Sequence, residues 1–291
     1  MSQSPIVKAF WDEPTGSWQY VFHDPATMKG AIIDPVWNFD LSSAATGTHS
    51  AQALLDYITD TGIDIEWILD THPHADHFSA ARWLKTKLDA KTAIGAHVTG
   101  VQKLWQDIYN LPDFPTDGRQ WDRLFADGDR FAVGELEVEV MFSPGHTLAS
   151  ISYIVGPVAF VHDTLMMPDC GSSRADFPGA NSRELYHSVQ RILALPDDTL
   201  LYVGHDYCPG GRAAACCATV AEQKAHNIHF KDNASEEAYC AVRDARDKTL
   251  PLPKLMLAAL QVNIRGGAFP EAEDNNRSYL KIPLDYFAAP Q

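Results

Sequence analysis

The heptapeptide Thr71-His72-Pro73-His74-Ala75-Asp76-His77 places three imidazoles and a carboxylate within six residues. Protonated histidines this close would repel one another. As neutral rings they offer nitrogen lone pairs to a borderline metal ion such as zinc or iron. The stretch follows Trp67-Ile68-Leu69-Asp70, a short apolar run that reads as a buried strand. A loop leaving a buried strand can aim alternate side chains at one point, which a helix with this spacing would do less well. Three more groups of the same kind recur downstream. His146 lies in Ser143-Pro144-Gly145-His146-Thr147, Asp163 in His162-Asp163-Thr164, and His205 in Gly204-His205-Asp206-Tyr207. Each sits just beyond another apolar run. Strand-end loops on one edge of a layered fold are where sites are built, so the pattern predicts a metal site fed by four loops. His97 stands alone and reads as a core or rim histidine.

The elements that must carry these loops are legible from periodicity. Trp18 to Phe22 and Ala31 to Ile33 read as antiparallel strands opening a sheet, joined by turn-rich residues from His23 to Thr27. Apolar positions Ala53, Leu54, Tyr57 and Ile58 predict an amphipathic helix over His49 to Thr61. Ile65 to Leu69 and Thr92 to Ala96 read as strands, with helices over Phe78 to Leu88 and through Val101, Leu104, Trp105 and Ile108. The polar stretch Asn110 to Gln120 reads as a surface excursion. Strands are expected at Arg130 to Val133, Leu136 to Phe142, Ser152 to Val155, Val158 to Val161 and Leu200 to Val203. A helix is expected over Ser182 to Leu193, capped by Asn181 or Ser182.

Composition narrows the class. The chain has 291 residues, 45% of them hydrophobic, enough for a sizeable core. Its formal net charge of −15 makes nucleic acid and anionic membranes poor partners. No apolar run approaches the roughly 20 residues of a membrane span, and the first residues resemble neither a signal nor a transit peptide. Cys170, Cys208, Cys216, Cys217 and Cys240 are odd in number and form no C-x-x-C pair, which fits a reducing cytoplasm rather than a disulfide framework. Cys216 and Cys217 fall in an Ala-rich run that reads as helical, whereas Cys170 lies in a Gly/Ser loop near the expected site.

The order His72-x-His74-x-Asp76-His77, His146, Asp163, His205 resembles the metallo-β-lactamase superfamily. That resemblance implies an α+β fold, an αββα four-layer sandwich with the metal at one edge of its two sheets. It implies a metallo-β-lactamase-fold domain over residues 1–230, with residues 231–291 as a helical and extended tail packing on the same domain. Within the superfamily, Thr71 to His77, Ser143 to Thr147, Leu195 to Asp198, His205 to Tyr207, Leu250 to Lys254 and Val262 to Gly267 are similar to the persulfide dioxygenases, relatives of glyoxalase II. Met167 to Gly171 and Arg174 to Gly179 look most like the bacterial branch called β-lactamase-like hydrolase, associated with sulfide detoxification. Two departures stand out. Ser172 and Ser173 both separate Gly171 from Arg174, where the family loop is shorter, and the Asn110 to Gln120 excursion is longer than in the mitochondrial form.

The resemblance implies one Fe(II) per chain held by His72, His146 and Asp163, with His74, Asp76, His77 and His205 orienting ligands and waters around it. Two histidines and a carboxylate leave positions open, the arrangement of oxygen-activating non-haem iron. The implied reaction takes glutathione persulfide and O2 to sulfite and glutathione. The same residues permit a rival: one or two Zn(II), with His72, His74 and His146 on one ion, Asp76, His77 and His205 on the other and Asp163 bridging, generating hydroxide for ester or thioester hydrolysis. Arg174 and Arg265 are candidates to grip glutathione carboxylates, and Tyr207 to reach the pocket. Relatives pair, so a homodimer is expected.

Overall fold

The computed structural model describes residues 4–287. The first half of the chain forms β1 (Ile6–Asp12), β2 (Ser17–His23), β3 (Lys29–Ile33), β4 (Val36–Asp40), β5 (Ala45–Gly47), α1 (His49–Thr61) and β6 (Asp64–Leu69). It continues through β7 (Phe78–Ser79), α2 (Ala81–Lys85), β8 (Lys91–Gly95), α3 (Val98–Ile108) and β9 (Arg123–Phe125). The second half forms β10 (Arg130–Val133), β11 (Leu136–Phe142), β12 (Ile151–Val155), β13 (Val158–His162), α4 (Ser182–Leu193), β14 (Leu200–Val203) and β15 (Cys217–Thr219). It closes with α5 (Val220–His226), α6 (Glu236–Asp247) and α7 (Met256–Asn263).

Two six-stranded sheets result, ordered β1-β2-β3-β6-β8-β9 and β10-β11-β12-β13-β14-β15, with a small third sheet β5-β4-β7. The first begins antiparallel and is parallel from β3 onward. The second is antiparallel except for the β13–β14 pair, between which α4 crosses. Their inner faces meet in one core, where Tyr20, Phe22, Trp67 and Leu69 pack on Val138, Tyr153 and Phe160. β11 shows why: Leu136, Val138 and Val140 are buried while Glu137 and Glu139 point away. Helices α1 and α2 cover the first sheet, with Leu54, Ile58 and Leu84 on Ile32 and Ile68. Leu185, Val189 and Tyr239 from α4 and α6 cover the second. Each large side chain so buried contributes about 1.5–3 kcal/mol. The arrangement is the expected αββα sandwich.

Local caps follow the sequence. Asn181 accepts from the backbone N–H groups of Arg183 and Glu184 at the start of α4, and Gly62 ends α1 in a left-handed conformation. Other expectations fail for tertiary reasons. The helix expected over Phe78 to Leu88 is confined to α2, because Phe78 and Ser79 pair with Trp37 and Val36 of β4. The Ala-rich run around Cys216 and Cys217 is not helical. Cys217 and Ala218 pair with Tyr202 and Leu201 as an edge strand, and α5 starts only at the Thr219–Glu222 capping box. The Asn110 to Gln120 excursion is pinned: Gln102 of α3 accepts from the Gly118 N–H and donates to Gln120 Oε1 and the Ile264 carbonyl. No helix among the described residues is long and apolar enough to cross a membrane.

Candidate metal centre

The first sheet delivers the histidine loop directly after β6. Asp34, in left-handed backbone just past β3, accepts from the Thr71 N–H at 2.7 Å and the Thr71 hydroxyl at 2.8 Å, fixing how the loop leaves the strand. From the other side, Asn263 of α7 donates to the carbonyls of His74 (2.7 Å) and His77 (2.8 Å) and accepts from the Ser79 N–H. The second sheet supplies His146 after β11, Asp163 after β13 and His205 after β14. A β-carbon at Gly204 would lie 2.6 Å from Asp163 Oδ1, so only glycine admits the close approach of these two strand ends.

All four loops converge. His72, His146 and Asp163 are buried, and their ligand atoms lie within 4.8 Å of one another. Asp163 Oδ2 is 3.9 Å from His72 Nε2 and 3.6 Å from His146 Nε2. The His146 Nδ1 donates to the Arg174 carbonyl at 2.9 Å, which leaves the Nε2 lone pair facing Asp163. Burial pushes the pKa of both histidines down, so both rings are neutral and able to ligate. His74, Asp76 and His77 form a second such group, and Asp76, Asp163 and His205 a third.

The fit to a metal ion rests on atoms that the protein itself leaves without a partner. His72 Nε2, His74 Nδ1 and His77 Nε2 are buried and accept no hydrogen bond. Such groups cost about 1–3 kcal/mol each unless something compensates them; a cation at the His72–His146–Asp163 group would do so for His72 Nε2, while His74 Nδ1 and His77 Nε2 belong to the His74–Asp76–His77 group. His74 Nε2 instead lies 3.0 Å from Asp34 Oδ1. Burial disfavours charge on His74, but the Asp34 carboxylate outweighs it and raises its pKa.

His205 belongs to a different arrangement. Its Nδ1 contacts Asp163 Oδ1 at 2.5 Å, its Nε2 pairs with Asp76, and its ring stacks nearly parallel on exposed Tyr207. Burial opposes its charge, yet the two carboxylates raise its pKa well above the ordinary value, and it holds theirs low in turn. Ser17 Oγ joins the group, 3.1 Å from Asp76 Oδ2 and 3.0 Å from His205 Nε2. His162, in left-handed backbone, packs its ring 4.9 Å from that of His72, and burial pushes its pKa down to about 3.

The remaining candidates are held by contacts of their own. Arg174 pairs with Asp176, donates to the Pro251 carbonyl and lies over the Phe177 ring. Arg265 is half-buried, donates to the Gln261 carbonyl and lies over Phe114. Burial pushes the Cys170 thiol up to about 11, so it stays protonated. His97 stacks on Phe142, 4.2 Å between ring centres, and belongs to none of the candidate metal groups among the described residues. Asp34, Ser17 and Asn263 carry no site signal of their own in sequence. Asn263 alone sits in a motif, Val262 to Gly267, that pointed toward the site.

Residues 14–205 match the family model described as metallo-beta-lactamase superfamily. The chain belongs to the metallo-β-lactamase superfamily. It is 63% identical to the beta-lactamase hydrolase-like protein of Agrobacterium fabrum over 97% of this chain, and spans 65% of that relative's length. It is 27% identical to the mitochondrial persulfide dioxygenase ETHE1 of Homo sapiens over 91% of each chain. The crystal structure of ETHE1 from Myxococcus xanthus superposes with a TM-score of 0.72 at 29% identity, covering 90% of this chain and all of the other. The His/Asp cluster is accordingly the metal-binding centre of a superfamily of metallo-enzymes that includes hydrolases and dioxygenases.

Proposed function

We propose that the chain is a persulfide dioxygenase working with a single Fe(II) at His72, His146 and Asp163. The observation that carries this reading is the buried group of two neutral histidines and one carboxylate, whose Asp163 is also held by His205. Likeness to proteins named persulfide dioxygenase and ETHE1 supports it. The net reaction joins glutathione persulfide, O2 and one water to give glutathione and sulfite, the outer sulfur being oxidised and O2 reduced. A ferrous ion held by the three residues supplies the redox chemistry that lets O2 react with sulfur.

The protein's own part is positional and electrostatic. The Arg174 carbonyl fixes the His146 tautomer, and Thr71 Oγ1, 3.0 Å from His72 Nδ1, does the same for His72. Charged His205 keeps Asp163 ionised and oriented. Arg174 and Arg265 are the proposed grips for the thiol carrier's carboxylates, and Tyr207 lines its approach.

A second reading, a zinc (thio)esterase with one or two ions, draws on the Asp76, His77 and His205 donors beside Asp163 and on the hydrolase-like name of the Agrobacterium relative. Oxygen uptake with glutathione persulfide, measured on anaerobically prepared Fe(II) and Zn(II) forms, separates the two. Uptake confined to the iron form, one O2 per sulfite, is the expected result. Absent uptake, with thioester hydrolysis by the zinc form, would overturn the proposal in favour of the hydrolase.

A further inference from the structure

The segment Ser172-Ser173-Arg174-Ala175 carries the carbonyl that orients His146, and it is held at both ends by α6, beyond the matched family region. Arg243 and Asp247, one turn apart on α6, are both buried and form an ion pair through Nε at 2.9 Å and Nη2 at 2.5 Å. Each also spends a hydrogen bond on the segment. Arg243 Nη1 donates to the Ser172 carbonyl at 3.1 Å, and Asp247 Oδ2 accepts from the Ala175 N–H at 2.9 Å. Tyr239, on the same helix, places its hydroxyl 2.8 Å from Ser172 Oγ, and the Ser172 N–H donates to His229 Nδ1 at 3.0 Å. Between these anchors the Arg174 carbonyl accepts from His146 Nδ1.

A buried ion pair is weak evidence for stability, because desolvating both charges offsets most of their attraction. Here its unused donor and acceptor grip the residues on either side of one carbonyl. We infer that the Arg243–Asp247 pair is a positioning device for the metal centre: it fixes the Arg174 carbonyl, and through it the tautomer and direction of the His146 ring. Ser172 and Ser173, both buried, supply the extra length and the hydroxyl by which the loop reaches α6. The inference concerns metal binding at His146 and holds for an iron or a zinc enzyme alike.

The test is the double substitution Arg243→Met with Asp247→Leu, which removes the pair without leaving one charge buried alone. Two properties are read on the full chain: the Co(II) dissociation constant by chelator competition, and the His146 tautomer in the metal-free protein by long-range 15N–1H correlation. Loss of a partner that orients a ligand lowers metal affinity about 10–100-fold, with the Nδ1–H signal of His146 giving way to a mixture. Leu54→Ala, on the buried face of α1, is the control for mere destabilisation and should leave both readouts unchanged. If the double variant does not fold, Arg243→Lys keeps the ion pair but drops the bond to Ser172, and should weaken Co(II) binding about threefold. A folded variant of either kind that keeps wild-type Co(II) affinity and a single His146 tautomer would overturn the inference.

Discussion

The two sides of the metal-centre rim are built from the same residue types yet satisfy their polar atoms in opposite ways. On the His72–His146–Asp163 side, neutral rings have one nitrogen tied to protein oxygen, Thr71 Oγ1 for His72 and the Arg174 carbonyl for His146. The other nitrogen is turned toward Asp163. On the Asp76–His205 side, a charged imidazole bridges two carboxylates and a serine hydroxyl, so donors and acceptors answer one another. The difference teaches that a list of superfamily ligands does not by itself fix the number of ions. Burial lowers the pKa of His72, His146 and His77, while the flanking carboxylates raise that of His205.

Substitutions can break that contrast, beginning with the largest effect. Asp163→Ala removes the only carboxylate of the three-residue set, and the variant should lose nearly all bound metal while keeping its circular dichroism spectrum. Full metal content by elemental analysis would dismiss Asp163 as a ligand. His205→Asn should leave one ion per chain and reduce turnover about 10–100-fold, the usual cost of removing a group that orients a ligand. A fall from two ions to one would instead place His205 on a second metal.

Asp70 sharpens the comparison from beneath the histidine loop. Burial and the nearby Asp34 carboxylate push its pKa up to about 6, against an ordinary 3.8, while Ser79 Oγ and Trp121 Nε1 donate to it. A carboxyl raised in the folded state contributes stability below its unfolded pKa, and that contribution is lost as pH rises through 6. Asp70→Asn does not titrate. In urea unfolding of metal-free protein the variant should therefore gain on the wild type by about 2–3 kcal/mol between pH 4 and 7. A constant difference across that range would show that Asp70 is not so perturbed. The smallest effect is expected at Arg265→Ala, which should raise KM for glutathione persulfide more than it changes kcat. An unchanged KM would take Arg265 out of the binding site.

Much of this was legible in the sequence because strand ends and ligands coincide. Each short apolar run is followed within a few residues by its His or Asp, so β6, β11, β13 and β14 and their loops could be read together. What escaped is set by distant contacts. Asp34 reads as an ordinary strand end until Thr71 is folded against it, and Ser17 becomes part of the centre only when β2 runs beside His205. Asn263 acts 184 positions from the Ser79 N–H it binds. The Cys216–Cys217 run shows the same lesson in reverse, since alanine's helical preference gives way to an open sheet edge at β14.

The central claim is that one side of the rim holds a metal and the other holds its ligand in place. Anaerobic titration of the metal-free chain with Fe(II), followed by counting of tightly bound ions, tests it most directly. One ion per chain, lost in His72→Ala, His146→Ala and Asp163→Ala but kept in His205→Asn, is the predicted result. Two tight ions per chain, with one lost in His205→Asn, would contradict it.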